Sequence, residues 1–151
     1  MLIIRRALAG LHLLVGIGAI AGGLAAILDP AAPLGMVASD MPNFPFDSFL
    51  VPGIILFTVI GLGNLAAAVP VFLGKKWLGY PSGTAGIALM VWIMVQCAML
   101  GSIVALHVIF FCLGAVIGCL ALIQLAVEGL WPGTWAQRLV AMLRDKRPGT
   151  G

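Results

Sequence analysis

Few side chains in this sequence could do chemistry, and they are dispersed. His12 and His107 are the only histidines. They start from opposite ends of the apolar segments that hold them, with about 20 Å of helical rise between them, so one haem cannot take both. Cys97, Cys112 and Cys119 all fall inside or beside apolar runs and form no CxxC pair. Cys112 and Cys119 are two helical turns apart, about 10 Å, too far for a disulfide. No Cys/His set has zinc-like spacing, and no Ser–His–Asp set, paired buried carboxylates or phosphate loop stands out. Gly61-x-Gly63-x-x-Ala66 imitates a dinucleotide fingerprint but follows no strand. The expectation is therefore no metal, no cofactor and no assignable catalytic residue.

A second group is more informative. Asn64, Trp92 and Gln96 lie deep within apolar segments, and Trp92 and Gln96 are one helical turn apart on one face. A Trp away from the membrane interface is off its usual belt, and an amide in lipid needs a hydrogen-bond partner. One reading is an intramembrane cavity lined by Asn64, Trp92 and Gln96 that opens toward an outer-face pair, Asp47 and His107. The other is plain interhelical bonding, worth about 0.6 kcal/mol per contact, with Trp92 filling the core. His12 and Gln124 lie toward the opposite, inner side.

The elements that must position these residues follow from composition. Of 151 residues, 62% are hydrophobic and 9% charged, and the mean hydropathy is +1.18. A soluble domain is about half apolar and a quarter charged, and one this small has too little interior to hide the excess. Lipid must be the solvent. Four stretches reach the roughly 20 residues needed to cross a bilayer, about 7–28, 49–72, 82–101 and 106–127, and none contains a charged residue. Backbone in lipid must satisfy its own hydrogen bonds, so each is predicted to be a helix. The fold class is an all-α integral membrane protein, a four-transmembrane-helix bundle over residues 1–127. The first stretch has a longer apolar core than a secretory signal, so it is expected to stay as a span.

Charge predicts orientation. Arg5, Arg6, Lys75, Lys76, Arg138, Arg144, Lys146 and Arg147 all fall in segments on one side of the four spans, whereas the long loop between the first two carries Asp29, Asp40 and Asp47. The positive-inside rule makes the basic side, with both termini, cytoplasmic. The net charge of +3 thus reads as topology and not as a nucleic-acid surface. Asp47 or Ser48 is expected to cap the second span, with Pro52 in its first turn. The tail 128–151 holds Thr134, a candidate N-cap, and then Trp135, Leu139, Met142 and Leu143 at helical spacing. An interfacial amphipathic helix over about 134–145 fits that pattern.

Two small-residue motifs bear on association. Gly18-x-x-x-Gly22 and Gly114-x-x-x-Gly118 let backbones approach closely, either between two copies of the chain or within one bundle.

Phe46-x-x-Phe49-Leu50-Val51-Pro52-Gly53, Gly61-x-Gly63-Asn64 and Trp92-Ile93-x-x-Gln96 together resemble a group of short, uncharacterised four-span bacterial membrane proteins, frequent in actinobacteria. The resemblance covers about residues 5–125. It departs at His107-Val108, where the group's pattern has a polar residue followed by proline. It implies a bacterial cytoplasmic membrane and the four-span architecture, and no activity. The expected role is a non-enzymatic accessory or self-associating module whose partners are the bilayer and either further copies or a larger complex. The alternatives are a small carrier or channel for a neutral or lipophilic solute, and then an enzyme acting on a lipid or isoprenoid.

Overall fold

Residues 2–145 are described by a computed structural model, and all of their regular structure is helical. Four helices are long and apolar enough to cross a membrane: α1 (Leu2–Leu28), α2 (Leu50–Phe72), α3 (Gly79–Leu100) and α4 (Ala105–Val127). A shorter helix, α5 (Gly133–Asp145), follows. Only 22% to 39% of the most apolar window of each span is buried within the protein. The rest, including Leu14, Ile17, Val59, Ile87 and Leu106, points outward. A water-facing surface of that kind is not tolerated, so the multi-pass membrane character follows from the fold as well as from composition.

The helices run alternately up and down. At one end, the basic end, the Arg5 Nη2–H donates to the carbonyl of Val71 at 3.2 Å, so the start of α1 caps the last turn of α2. This explains why α1 begins at Leu2, several residues before the expected apolar boundary. Arg5 is half-buried inside the helix and is not a flanking charge. At the other end, the loop end, Gly101 closes α3 with φ +64, and a Cβ there would lie 2.7 Å from Pro42 of the long loop. Phe44 packs against Phe46 and Phe49 in that loop, with ring centroids 5.8 and 4.6 Å apart.

Two helix seams are glycine-lined. Between α1 and α2, a Cβ on Gly23 would sit 2.7 Å from the Phe57 backbone nitrogen, and one on Gly53 would sit 2.8 Å from the Ala26 Cβ. Between α3 and α4, a Cβ on Gly86 would meet the Gly114 carbonyl oxygen at 2.8 Å, and one on Gly114 would meet the Gly86 oxygen at 2.9 Å. Backbones this close gain dispersion and weak Cα–H contacts where lipid removes any hydrophobic drive. Gly114 is thus consumed within the bundle, against its own chain. A Cβ on Gly118 meets nothing within 4 Å.

Within α2, residues Leu56–Leu62 form a π-helical stretch. Two side chains, one within it and one just past it, bond back to carbonyls four residues earlier. The Thr58 hydroxyl donates to Ile54 O at 2.7 Å, and the Asn64 amide donates to Ile60 O at 2.8 Å. Pro52 is buried in the first turn, as expected. The cap differs from expectation. Phe49 occupies that position with no side-chain cap bond, and its N–H donates to Pro30 O at 2.8 Å. Asp47 is exposed, and Ser48 Oγ reaches only the Leu50 N–H, at 3.5 Å.

Thr134 lies inside α5 and is not its cap, because the helix starts at Gly133, which packs directly on the Ala126 backbone. Gln137 Nε2–H donates to Ala126 O at 2.9 Å and ties α5 to the end of α4. Trp135 and Met142 are exposed. The side chains of Leu139, Leu143 and Arg144, and residues Lys146 and Arg147 altogether, lie outside what is described.

Candidate functional site

The intramembrane polar residues separate into two sites at different depths. In the half of the bundle near the basic end, His12, Asn64 and Ser82 meet from α1, α2 and α3, all essentially without exposure. Asn64 Nδ2–H is committed to Ile60 O, so its Oδ1 must be the acceptor facing His12 Nδ1 at 2.9 Å. Nδ1 therefore carries the ring proton. Nε2 then presents a lone pair to the Ser82 hydroxyl at 3.0 Å, and Ser82 donates. Each donor in this chain has an acceptor, and three helices are joined through one imidazole.

The order Ser–His–Asn has the tautomer and spacing of a nucleophile, a base and its orienting amide. Its burial, however, points to a structural role. Ser82 and His12 are both wholly buried, and neither lines the cavity beside Trp92. In lipid, where an unpaired polar group is costly, the set acts as a three-way fastener.

The second site is a cavity of about 160 Å³ in the half near the loop end. Gly18 and Gly22 of α1, Ile60 of α2, Trp92 and Gln96 of α3, and His107 of α4 are among its walls. Glycines 18 and 22 thus leave space instead of closing a seam: a Cβ on Gly18 would find its nearest neighbour, the Phe110 Cζ, only at 3.9 Å. Trp92 is 7% exposed, and its Nε1 is buried with no hydrogen-bond partner.

His107 has a clear local role. Its Nδ1 accepts the Val104 N–H at 3.3 Å, reaching back from the third helical residue to satisfy an orphan donor at the α4 start. That acceptor role places the ring proton on Nε2. On its far side, His107 also lines a shallower apolar groove between α3 and α4, shared with Ile93 and walled by Met94, Cys97, Ile103 and Phe111. His107 and Ile93 therefore stand between the central cavity and the lipid-facing surface.

These placements revise the sequence reading at two points. Trp92, Gln96 and His107 do share a cavity, but Asn64 does not line it. Asn64 is turned to His12, one helical turn from the cavity-lining Ile60. Asp47 is exposed and forms no hydrogen bond or ion pair with His107, whose Nδ1 is taken by helix capping. Sequence reasoning missed Ser82 outright, having used it only to mark the start of a span. Gln124 is buried and donates from Nε2 to Glu128 Oε1 at 3.2 Å. Among the described residues no three His, Cys, Asp or Glu side chains cluster as metal ligands would. Comparison of the chain with protein-family models, curated proteins and solved structures finds no match, so function has to be read from the site.

Proposed function

We propose that this chain is a non-enzymatic membrane module that holds a small, neutral, lipophilic solute in the cavity beside Trp92. The space itself, walled by apolar side chains with Gln96 and His107 as its polar groups, is the observation that carries this reading. Well-packed cores do not leave such space, and a dry apolar cavity of about 150 Å³ is enough for a benzene-sized guest. No charged side chain lines it, so an ion would be unpaid for in this medium. The α3–α4 groove behind His107 and Ile93 offers a route from the bilayer. The half toward the basic end is closed by the His12 fastener, which favours a binding module over a through-channel.

A direct test uses fluorobenzene and ¹⁹F saturation transfer with the protein in lipid nanodiscs. Wild type should show a saturable component above lipid partitioning. Gly18→Leu, which fills the cavity from a position with room for a side chain, should remove it while the thermal unfolding midpoint is retained. Saturable binding that survives Gly18→Leu, or none in wild type, would refute the proposal.

In this reading the basic end faces the cytoplasm of a bacterial cell, in keeping with the positive-inside rule and with the four-span group that the sequence resembles. The exposed Trp135 of α5 lies at that interface. Cysteines introduced near Ser39 should react with an impermeant maleimide in intact cells, and cysteines near Arg138 only after permeabilisation. The reverse pattern would invert the topology.

A further inference from the structure

At the basic end a groove opens between the start of α1 and the last turn of α2, lined by Leu2, Arg5, Arg6, Ala9, Val71 and Phe72. It shares no residue with the cavity beside Trp92. Two guanidinium groups face it and no carboxylate does. Asp29, Asp40 and Asp47 belong to the loop at the opposite end, and Glu128 is engaged by Gln124.

The fold holds Arg5 in place. Its Nη2–H donates to Val71 O at 3.2 Å, and Gly74, at φ +65, passes so close that a Cβ there would sit 2.9 Å from the Arg5 Cζ. Nε is sealed off without a partner, so the bond to Val71 is the guanidinium's one hydrogen bond among the described residues. A half-buried cation with so little compensation favours an anion from outside. Donors remain for one: Nη1, unlike Nε, is not sealed off, and Arg6 is exposed. The rest of the groove is apolar. Leu2 and Phe72 are exposed, and Ala9 lies one helical turn from Arg5 toward the bilayer centre. Positive charge at the headgroup level thus continues into apolar surface at the acyl level.

We propose that this groove binds an anionic phospholipid, its phosphate oxygens accepting from Arg5 and Arg6 and the first part of one acyl chain lying along Ala9 and Phe72. The planar guanidinium fork matches a phosphate, and basic pockets between membrane helices are a recurrent setting for anionic headgroups. A free phosphate would leave the apolar walls unused. A zwitterionic lipid would bring a cation of its own to a site that already has two. Nothing in this assignment depends on the guest of the Trp92 cavity.

The test uses phosphatidylglycerol and phosphatidylcholine probes carrying the same diazirine on the same acyl chain. Each is placed at equal trace mole fraction in phosphatidylcholine nanodiscs holding the full chain, and labelled peptides are mapped by mass spectrometry after irradiation. Around Ala9 and Phe72 the phosphatidylglycerol probe is expected to label about ten-fold more, as one added charge-assisted hydrogen bond would give. Around Ile123, exposed on α4 near the same end, the two probes should label nearly alike. Arg6→Gln should cut the preference about three-fold. Lys76→Gln, an equal loss of charge outside the groove, should leave it unchanged. Arg5 is spared because it also holds α1 to α2.

Equal labelling by the two probes at Phe72 would overturn the proposal. The same preference at Ile123, or an equal loss in Lys76→Gln, would overturn it too, since either marks a diffuse attraction of the basic end for anionic lipid. Excess glycerol 1-phosphate should not displace the probe. If it does, the groove takes a free phosphate ester and the lipid assignment falls. Should Arg6→Gln not fold, the contrast between Phe72 and Ile123 in wild type still decides the matter.

Discussion

Replacing His12 with leucine should lower the unfolding free energy of the bundle by about 2–4 kcal/mol, measured by SDS titration from mild detergent. The substitution leaves Asn64 Oδ1 and the Ser82 hydroxyl, both without solvent access, lacking the partner each now has at 2.9 and 3.0 Å. An orphaned buried polar group costs about 1–3 kcal/mol. Hydrogen bonds between membrane helices average nearer 0.6 kcal/mol, because the separated helices find other partners. Here one ring serves two helices at once, and α2 already uses the Asn64 amide to steady its π-helical stretch, so re-pairing elsewhere is restricted. Ser82→Ala alone should cost less, since it removes a single bond and leaves His12 held by Asn64.

The diagnostic comparison is the triple variant His12→Leu, Asn64→Leu, Ser82→Ala. Removing every member of a polar set can be nearly neutral where removing one is not. Most of the lost stability should return. If His12→Leu unfolds at the wild-type SDS concentration, the fastener is not one. If the triple variant is no better than the single, the cost lies in shape and not in unpaired polar groups.

The spans were legible because lipid imposes a one-dimensional rule, an apolar length of about 20 residues bounded by charge. α2 and α4 begin and end within a residue or so of where hydropathy places them, at Leu50–Phe72 and Ala105–Val127. The early start of α1 was hidden by the same rule, which counts Arg5 as a boundary, although an arginine that caps a neighbouring helix can sit within one. The shared face of Trp92 and Gln96 was also legible, because four residues along a helix is one turn whatever surrounds it.

Rotation was not legible. A soluble helix shows its inward side by a stripe of apolar residues, but these spans are apolar all round, so hydropathy says little about which side faces the bundle. Asn64 was assigned to the wrong neighbours for that reason. At the right depth, it could have turned to Trp92 or to His12, and hydropathy does not choose between them; the structure has it at His12. Ser82 was passed over because a serine near the start of a helix ordinarily means little. Its partner is 70 positions away.

The glycines of α1 show the same loss of rotational information, and they set up the sharpest contrast available. Gly22→Ala and Gly23→Ala are the same chemical change at adjacent positions, and helix propensity alone would make both stabilising by up to about 1 kcal/mol. The motif Gly18-x-x-x-Gly22 directs attention to Gly22. The seam uses Gly23, together with Gly16 a heptad earlier, whose own Cβ would lie 3.2 Å from Gly61 O. A methyl on Gly22 meets the Leu56 Cδ2 at 3.3 Å, the end of a side chain that can rotate into the adjoining cavity. A methyl on Gly23 meets the Phe57 backbone nitrogen at 2.7 Å and its Cα at 2.8 Å, and backbone inside a packed helix pair cannot step aside. α1 and α2 would have to separate along the seam. Overpacking of this kind costs about 1–3 kcal/mol, more where backbone is the obstacle. Gly23→Ala should therefore lose about 3 kcal/mol in SDS titration, while Gly22→Ala should stay within about 0.5 kcal/mol of wild type. Equal effects would mean that α1 is rotated about its axis from the position described, and since Gly18 and Gly22 owe their place on the cavity wall to that rotation, the cavity would go with it.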